Sequence, residues 1–73
     1  MSVYYLNLTM KDEYGIEHFE VHTEDCKWLD RTKYSERLGN FLNCQGAISE
    51  AKNKHPGWRI DGCKHCSPDC HSV

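Results

Sequence analysis

Two short pairs of soft ligands, His22-Thr-Glu-Asp-Cys26 and Cys63-Lys-His-Cys66, constrain this chain more than any other feature. Each pair fits on one tight turn, and together they offer one imidazole and three thiols, a donor set suited to a tetrahedral metal site. The constraint bites because the chain has only 73 residues. A chain of that length buries only about 60% of the surface it would expose unfolded, so its apolar core is marginal and a staple is expected. A disulfide, a metal or self-association could each supply one.

The cysteines are Cys26, Cys44, Cys63, Cys66 and Cys70, an odd number that leaves at least one thiol outside any intramolecular disulfide framework. The opening Met1-Ser2-Val3-Tyr4 lacks the basic and apolar regions of a secretory leader. Both features favour a cytoplasmic, reducing setting, where clustered Cys and His serve metal or redox chemistry. No apolar run approaches the roughly 20 residues that span a bilayer, so no membrane role is expected. The formal net charge is −2, and Lys27, Arg31, Lys33 and Arg37 interleave with Asp25, Asp30 and Glu36. Nucleic-acid affinity comes mainly from neutralising phosphates, and this chain has no basic surplus for it. Its best basic patch, Lys52-Asn53-Lys54-His55 with Arg59, reads as the solvated end of a helix.

Alternation over Val3 to Met10, with Tyr4, Leu6, Leu8 and Met10 on one side, predicts a strand with one buried face. Lys11 to Gly15 supplies turn chemistry, and Ile16 to about His22 predicts the returning strand of a hairpin, with a bulge or late start at Ile16. On that strand Phe19 and Val21 share one face and His18, Glu20 and His22 the other. Thr23 to Asn40 has no clean period and is expected to fold irregularly over the sheet. Asn43 is a good N-cap, Ala47, Ile48 and Ala51 recur at helical spacing, and His55-Pro56-Gly57 ends the run, which predicts a helix over 44–54. Trp58 to Asp61 then predicts a third short strand, and Gly62 a sharp turn into the Cys-x-x-Cys knuckle.

A Cys-x-x-Cys turn can aim both sulfurs at one ion, and a second pair at a strand end supplies the two missing ligands. His22, Cys26, Cys63 and Cys66 would then form a Cys₃His site of formal charge −1 around one structural zinc. Cys70 and His71 stand close enough in sequence to replace one of these ligands. The rival for Cys63 and Cys66 is a redox dithiol, which is expected at a helix N-terminus, and Ser67-Pro68 opposes a long helix there. Cys44 reads as a small buried apolar side chain, His18 and His55 as surface residues, and His65 as pointing to solvent. Glu17, Glu20, Glu24 and Asp25 read as solvated faces. Four protein ligands leave no open position for a catalytic water, and no nucleophile has a dedicated base, so no enzymatic activity is expected.

Val21-His22-x-x-x-Cys26-x-x-Leu29, then Phe41 with a helix holding Ala47 and Ala51, then Gly62-Cys63-Lys64-x-Cys66-x-Pro68, resembles the metal-binding domain of the Ada DNA-repair family and the small zinc modules related to it. The resemblance covers about Phe19 to Pro68. The whole chain is also similar in pattern to small bacterial and phage proteins of this length. What the Ada resemblance implies is a compact α+β zinc domain with ligands at His22, Cys26, Cys63 and Cys66. In that family the first ligand of the first pair is a cysteine that accepts a methyl group from DNA. Here the position holds His22, whose metal-bound imidazole lacks a thiolate's nucleophilicity, so alkyl transfer is not expected.

The sequence therefore predicts one α+β domain over 1–73, a three-stranded antiparallel sheet (the hairpin and a C-terminal strand) with one helix packed on it and a zinc staple, residues 66–73 forming a flexible tail. The expected role is a non-enzymatic interaction or regulatory module with a protein partner; Trp28, Tyr34 and Trp58 either contact that partner or cover the sheet edge and the metal loop. Two alternatives are a nucleic-acid-binding module using Lys52, Lys54, Arg59 and Lys64, and a thiol redox protein using Cys63 and Cys66.

Overall fold

The computed structural model describes residues 1–27, 29 and 34–72. Trp28 lies outside the described residues, as do Asp30, Arg31 and Lys33. The chain is α+β, with β1 (Ser2–Asn7), β2 (Lys11–Glu13), β3 (Ile16–Thr23), β4 (Ser35–Phe41), α1 (Cys44–Lys54), β5 (Ile60–Gly62) and a short 3-10 turn at Pro68–Cys70. The strands run in the order β2-β3-β1-β4, and β5 also pairs with β3.

The hairpin forms where the alternation predicts it, but its turn is tighter. Glu13 pairs with Ile16, leaving Tyr14 and Gly15 as a two-residue loop with both φ positive, at 55° and 76°. That is the turn whose twist suits a hairpin. Lys11 to Glu13, expected in the turn, is therefore strand β2. The irregularity expected at Ile16 falls on the opposite strand. The pairs Leu6↔Val21 and Lys11↔His18 set five steps of chain against three, so the first strand breaks between β1 and β2. Met10 lies in that break and is exposed, while Tyr4 and Leu6 are buried.

Two corrections concern the sheet. Part of the stretch expected to be irregular is β4, which pairs antiparallel with β1. Arg37 pairs with Tyr5 and Gly39 with Tyr4, which leaves Leu38 as the extra residue of a bulge. The bulge destroys the period of two by which such a strand is recognised. The last strand starts at Ile60, two residues later than expected, and runs parallel to β3 rather than antiparallel. The sheet thus has five strands, where the sequence predicts three.

The helix matches its expected span. Asn43 Oδ1 accepts from the N–H groups of Gln45 and Gly46, at 3.1 and 3.4 Å. Cys44, Ala47 and Ala51 face inward and join Tyr4, Leu6, Val21, Leu38 and Ile60 in the core. Small helix residues let the backbone approach the sheet closely. Gly46 belongs to this close approach, since a Cβ there would stand 2.9 Å from Phe41 Cδ1. No helix among the described residues is long and apolar enough to cross a membrane.

Cys44, expected as a plain apolar side chain, is bonded to Cys70 in a disulfide that ties the start of α1 to the 3-10 turn. The segment expected as a flexible tail is held beside it through Ser72. Ser72 donates to Asp61 Oδ1 from both N and Oγ at 2.9 Å, and His71 Nδ1 lies 3.2 Å from Asp61 Oδ2.

Two outcomes test this packing. A Cβ at Gly62 would meet Ser67 O at 2.6 Å and Cys70 Cβ at 2.7 Å. Gly62→Ala is therefore expected to destabilise by more than about 2 kcal/mol in urea unfolding, because backbone must move to admit it. The disulfide spans 26 positions, so the Cys44→Ser/Cys70→Ser double variant is expected to lose about 3 kcal/mol in the same measurement.

Candidate metal centre

His22 lies at the end of β3 with Cys26 in the turn after it, Cys63 and Cys66 follow β5, and the two strands run side by side in the same direction. Phe19, Glu20 and Val21 pair with Ile60, Asp61 and Gly62. The ladder continues as Cys63 N–H donates to Val21 O at 3.0 Å. Because the pairing is parallel, the turns leaving β3 and β5 emerge at the same end of the sheet. The first turn closes with Cys26 N–H donating to Thr23 O at 3.1 Å, and the knuckle with Ser67 N–H donating to Cys63 O at 2.8 Å.

One ligand atom from each of His22, Cys26, Cys63 and Cys66 lies within 4.8 Å of the others. Cys26 Sγ stands 4.0 Å from Cys63 Sγ, and Cys66 Sγ 3.8 Å from His22 Nδ1. Around a tetrahedral ion with sulfur bonds of about 2.3 Å, neighbouring sulfurs stand about 3.8 Å apart, so these four side chains lie close enough to hold a metal ion. His22 and Cys63 are buried, whereas Cys26 and Cys66 are partly exposed.

The surroundings prepare thiolates unequally. Thr23 N–H points at Cys66 Sγ and His65 N–H at Cys63 Sγ, each at 3.4 Å. Burial pushes the Cys66 thiol up, but contacts with His22, Cys26, the Thr23 N–H and Cys63 outweigh it and bring Cys66 down to about 6. At Cys63 burial prevails over the N–H groups of Cys66 and His65, and the thiol is held above its ordinary range. Tyr4 is also raised, by burial and then by the charge on Cys66.

The two competing ligands have other partners. Cys70 is in the disulfide, and His71 Nδ1 donates to Gly62 O at 3.1 Å beside Asp61. His65 is exposed, as the sequence predicts. His55 departs from its expected surface role: Nε2 donates to Glu36 Oε1 at 2.9 Å, and its ring stacks on Trp58 at 3.9 Å.

Sequence reasoning missed the residues behind His22. His18 is fully buried and Glu20 is 5% exposed, although both read as surface side chains. His18 Nδ1 lies 3.1 Å from Ile16 O, and its Nε2 3.3 Å from Glu20 Oε2. Glu20 Oε1 stands 3.6 Å from Lys11 Nζ and 3.7 Å from His22 Nε2. A cavity of about 220 Å³ lined by Lys11, Glu20, Cys63, Lys64 and His65 adjoins this row. The signal present in the sequence is the alternation itself, since His18 and Glu20 share a strand face with a ligand.

Compared with known proteins, the chain has no significant match to a family model, a curated protein or a solved structure.

Because the fold holds Cys66 below its ordinary value of 9.0, the stability its thiolate contributes is complete above that value and is lost as pH falls through about 6. Alkylation of metal-free protein by iodoacetamide, read by mass spectrometry, is expected to reach half its maximal rate at Cys66 near pH 6. Cys63 is expected to react roughly tenfold more slowly at neutral pH, being buried and protonated.

Proposed function

We propose that this chain is a small structural-zinc domain that acts as an interaction or regulatory module for a protein partner. The observation that carries the metal reading is the convergence of His22, Cys26, Cys63 and Cys66 within 4.8 Å. Three thiolates and one imidazole favour zinc over hard cations, which prefer oxygen ligands. No α-helix starts at Cys63, as a redox dithiol of the usual kind would require, so the knuckle favours metal over thiol exchange. With four protein ligands the zinc holds the fold together, and the Ada resemblance enters here as support for that ligand set alone.

The reading of a protein partner draws on the far edge of the sheet. Strand β4 ends the order β2-β3-β1-β4, and the residues flanking it, Tyr34 and Leu42, are 61% and 82% exposed. An edge strand with apolar residues at both ends suits contact with another chain. Trp58 serves this role less well than its sequence context suggests. Its ring stacks on Phe19 at 4.1 Å and on His55 at 3.9 Å, so both faces are covered.

The nucleic-acid reading keeps one observation. Lys52 and Arg59 line a cavity of about 440 Å³ with Gly57, Trp58, Ile60 and Ser72. Trp58 cannot stack on a base there, because its two faces are occupied. That reading would therefore rest on phosphate contacts, whose signature is steep weakening with salt.

Native mass spectrometry is expected to find one zinc per chain, and its removal by chelator to lower stability steeply in urea unfolding. His22→Ala and Cys26→Ser are expected to lose the metal, whereas Cys70→Ser keeps it despite lower stability. Metal-free protein as stable as the zinc-loaded form would overturn the structural role.

A further inference from the structure

We infer that Glu20 is the positioning residue for His22, presenting the imidazole to the metal through Nδ1, and that His18 and Lys11 hold Glu20 in place for this task. The inference rests on the zinc reading above. His22 has one ring nitrogen on each side of the question. Nδ1 faces the thiols, 3.8 Å from Cys66 Sγ. Nε2 is buried and has no hydrogen-bond partner, and the carboxylate oxygen Glu20 Oε1 lies 3.7 Å away.

A buried polar atom without a partner costs free energy, so a bare imidazole does not suit this position. A metal on Nδ1 changes the demand. Neutral imidazole then carries its one proton on Nε2, which becomes a donor aimed at Glu20. A movement of under about 1 Å would bring the pair into hydrogen-bond range. Histidine ligands generally donate their second N–H to such an acceptor, which fixes the tautomer and makes the ligand nitrogen more basic.

Glu20 is itself held. A carboxylate this deeply buried is costly unless it is paired. Its Oε2 faces His18 Nε2 at 3.3 Å, and His18 is anchored through Nδ1 to Ile16 O at 3.1 Å. Lys11 approaches Oε1 from the half-exposed side at 3.6 Å. His18, Glu20 and His22 occupy alternate positions of β3, so the strand's repeat sets their spacing, and the pairing Lys11↔His18 brings the lysine alongside. Backbone geometry thus places the whole row before any metal binds.

The test combines zinc affinity with the tautomer of His22. In ¹⁵N NMR of the zinc-loaded wild type, His22 is expected to show a metal-bound Nδ1 and a protonated, slowly exchanging Nε2–H. By competition with a chelator, Glu20→Leu is expected to bind zinc about 10- to 100-fold more weakly, while Glu20→Gln, which keeps an acceptor oxygen, loses less than about tenfold. The Gln variant is also expected to keep the slowly exchanging Nε2–H, a signature that a merely structural glutamate would not control. Zinc on Nε2, or Glu20→Leu affinity within about threefold of wild type, would overturn the inference. If Glu20→Leu fails to fold, the wild-type spectrum and Glu20→Gln decide it. A wild type that takes up no zinc overturns the zinc reading itself, a result distinct from undiminished affinity in Glu20→Leu.

Discussion

The parallel ladder between β3 and β5 is the contact on which the rest depends. It is only three pairs long, Phe19↔Ile60, Glu20↔Asp61 and Val21↔Gly62, yet it sets the direction of both chains as they leave the sheet. With the opposite polarity, the turn carrying Cys26 and the knuckle carrying Cys63 and Cys66 would leave from opposite ends. Both faces of β3 are consumed in the process. Val21 packs into the core below α1, while His18, Glu20 and His22 are buried on the other face. A strand that buries a carboxylate between two histidines is costly in isolation, and pairing on that face offsets the cost.

The knuckle is gripped from two directions. Upstream it continues the β3–β5 ladder, and downstream the Cys44–Cys70 disulfide holds the 3-10 turn against the helix. Gly62 sits where these meet, with Ser67 O and Cys70 Cβ too near to admit a side chain. Its value is therefore the absence of a Cβ at a close backbone approach. Asp61 adds a third tie by collecting Ser72 and His71 in a buried position. In a domain to whose small core the helix contributes only Cys44, Ala47 and Ala51 as buried residues, covalent and polar ties of this kind take over part of the work that apolar area does in larger proteins.

Local signals were legible wherever neighbouring residues decide the outcome. The helix was readable over its full span because Asn43 caps its own turn and Pro56 and Gly57 stop it. The hairpin was readable because Tyr4, Leu6, Phe19 and Val21 alternate. Strand β4 was not, because the extra residue at Leu38 shifts its parity midway, and a period of two cannot be seen across a bulge. His18 and Glu20 were misplaced for a different reason. Their polarity suggests solvent, and only partners contributed by another strand and by the backbone make burial acceptable. The Cys44–Cys70 bond was equally out of reach, since cysteine spacing limits pairing but does not choose it.

By itself, the sequence determined the ligand inventory: which residues could hold a metal, in two pairs with the right internal spacing, and that so short a chain calls for a staple, be it disulfide, metal or self-association. Those are properties of composition and of turns a few residues long. The tertiary structure decided which side chains meet. Through parallel pairing it joined His22 and Cys26 to Cys63 and Cys66, assigned Cys70 to a disulfide and His71 to Asp61, and placed Glu20 behind His22. The physical reason is that strand direction and pairing partner are long-range choices, set by how the whole sheet and helix pack, and no local pattern encodes them.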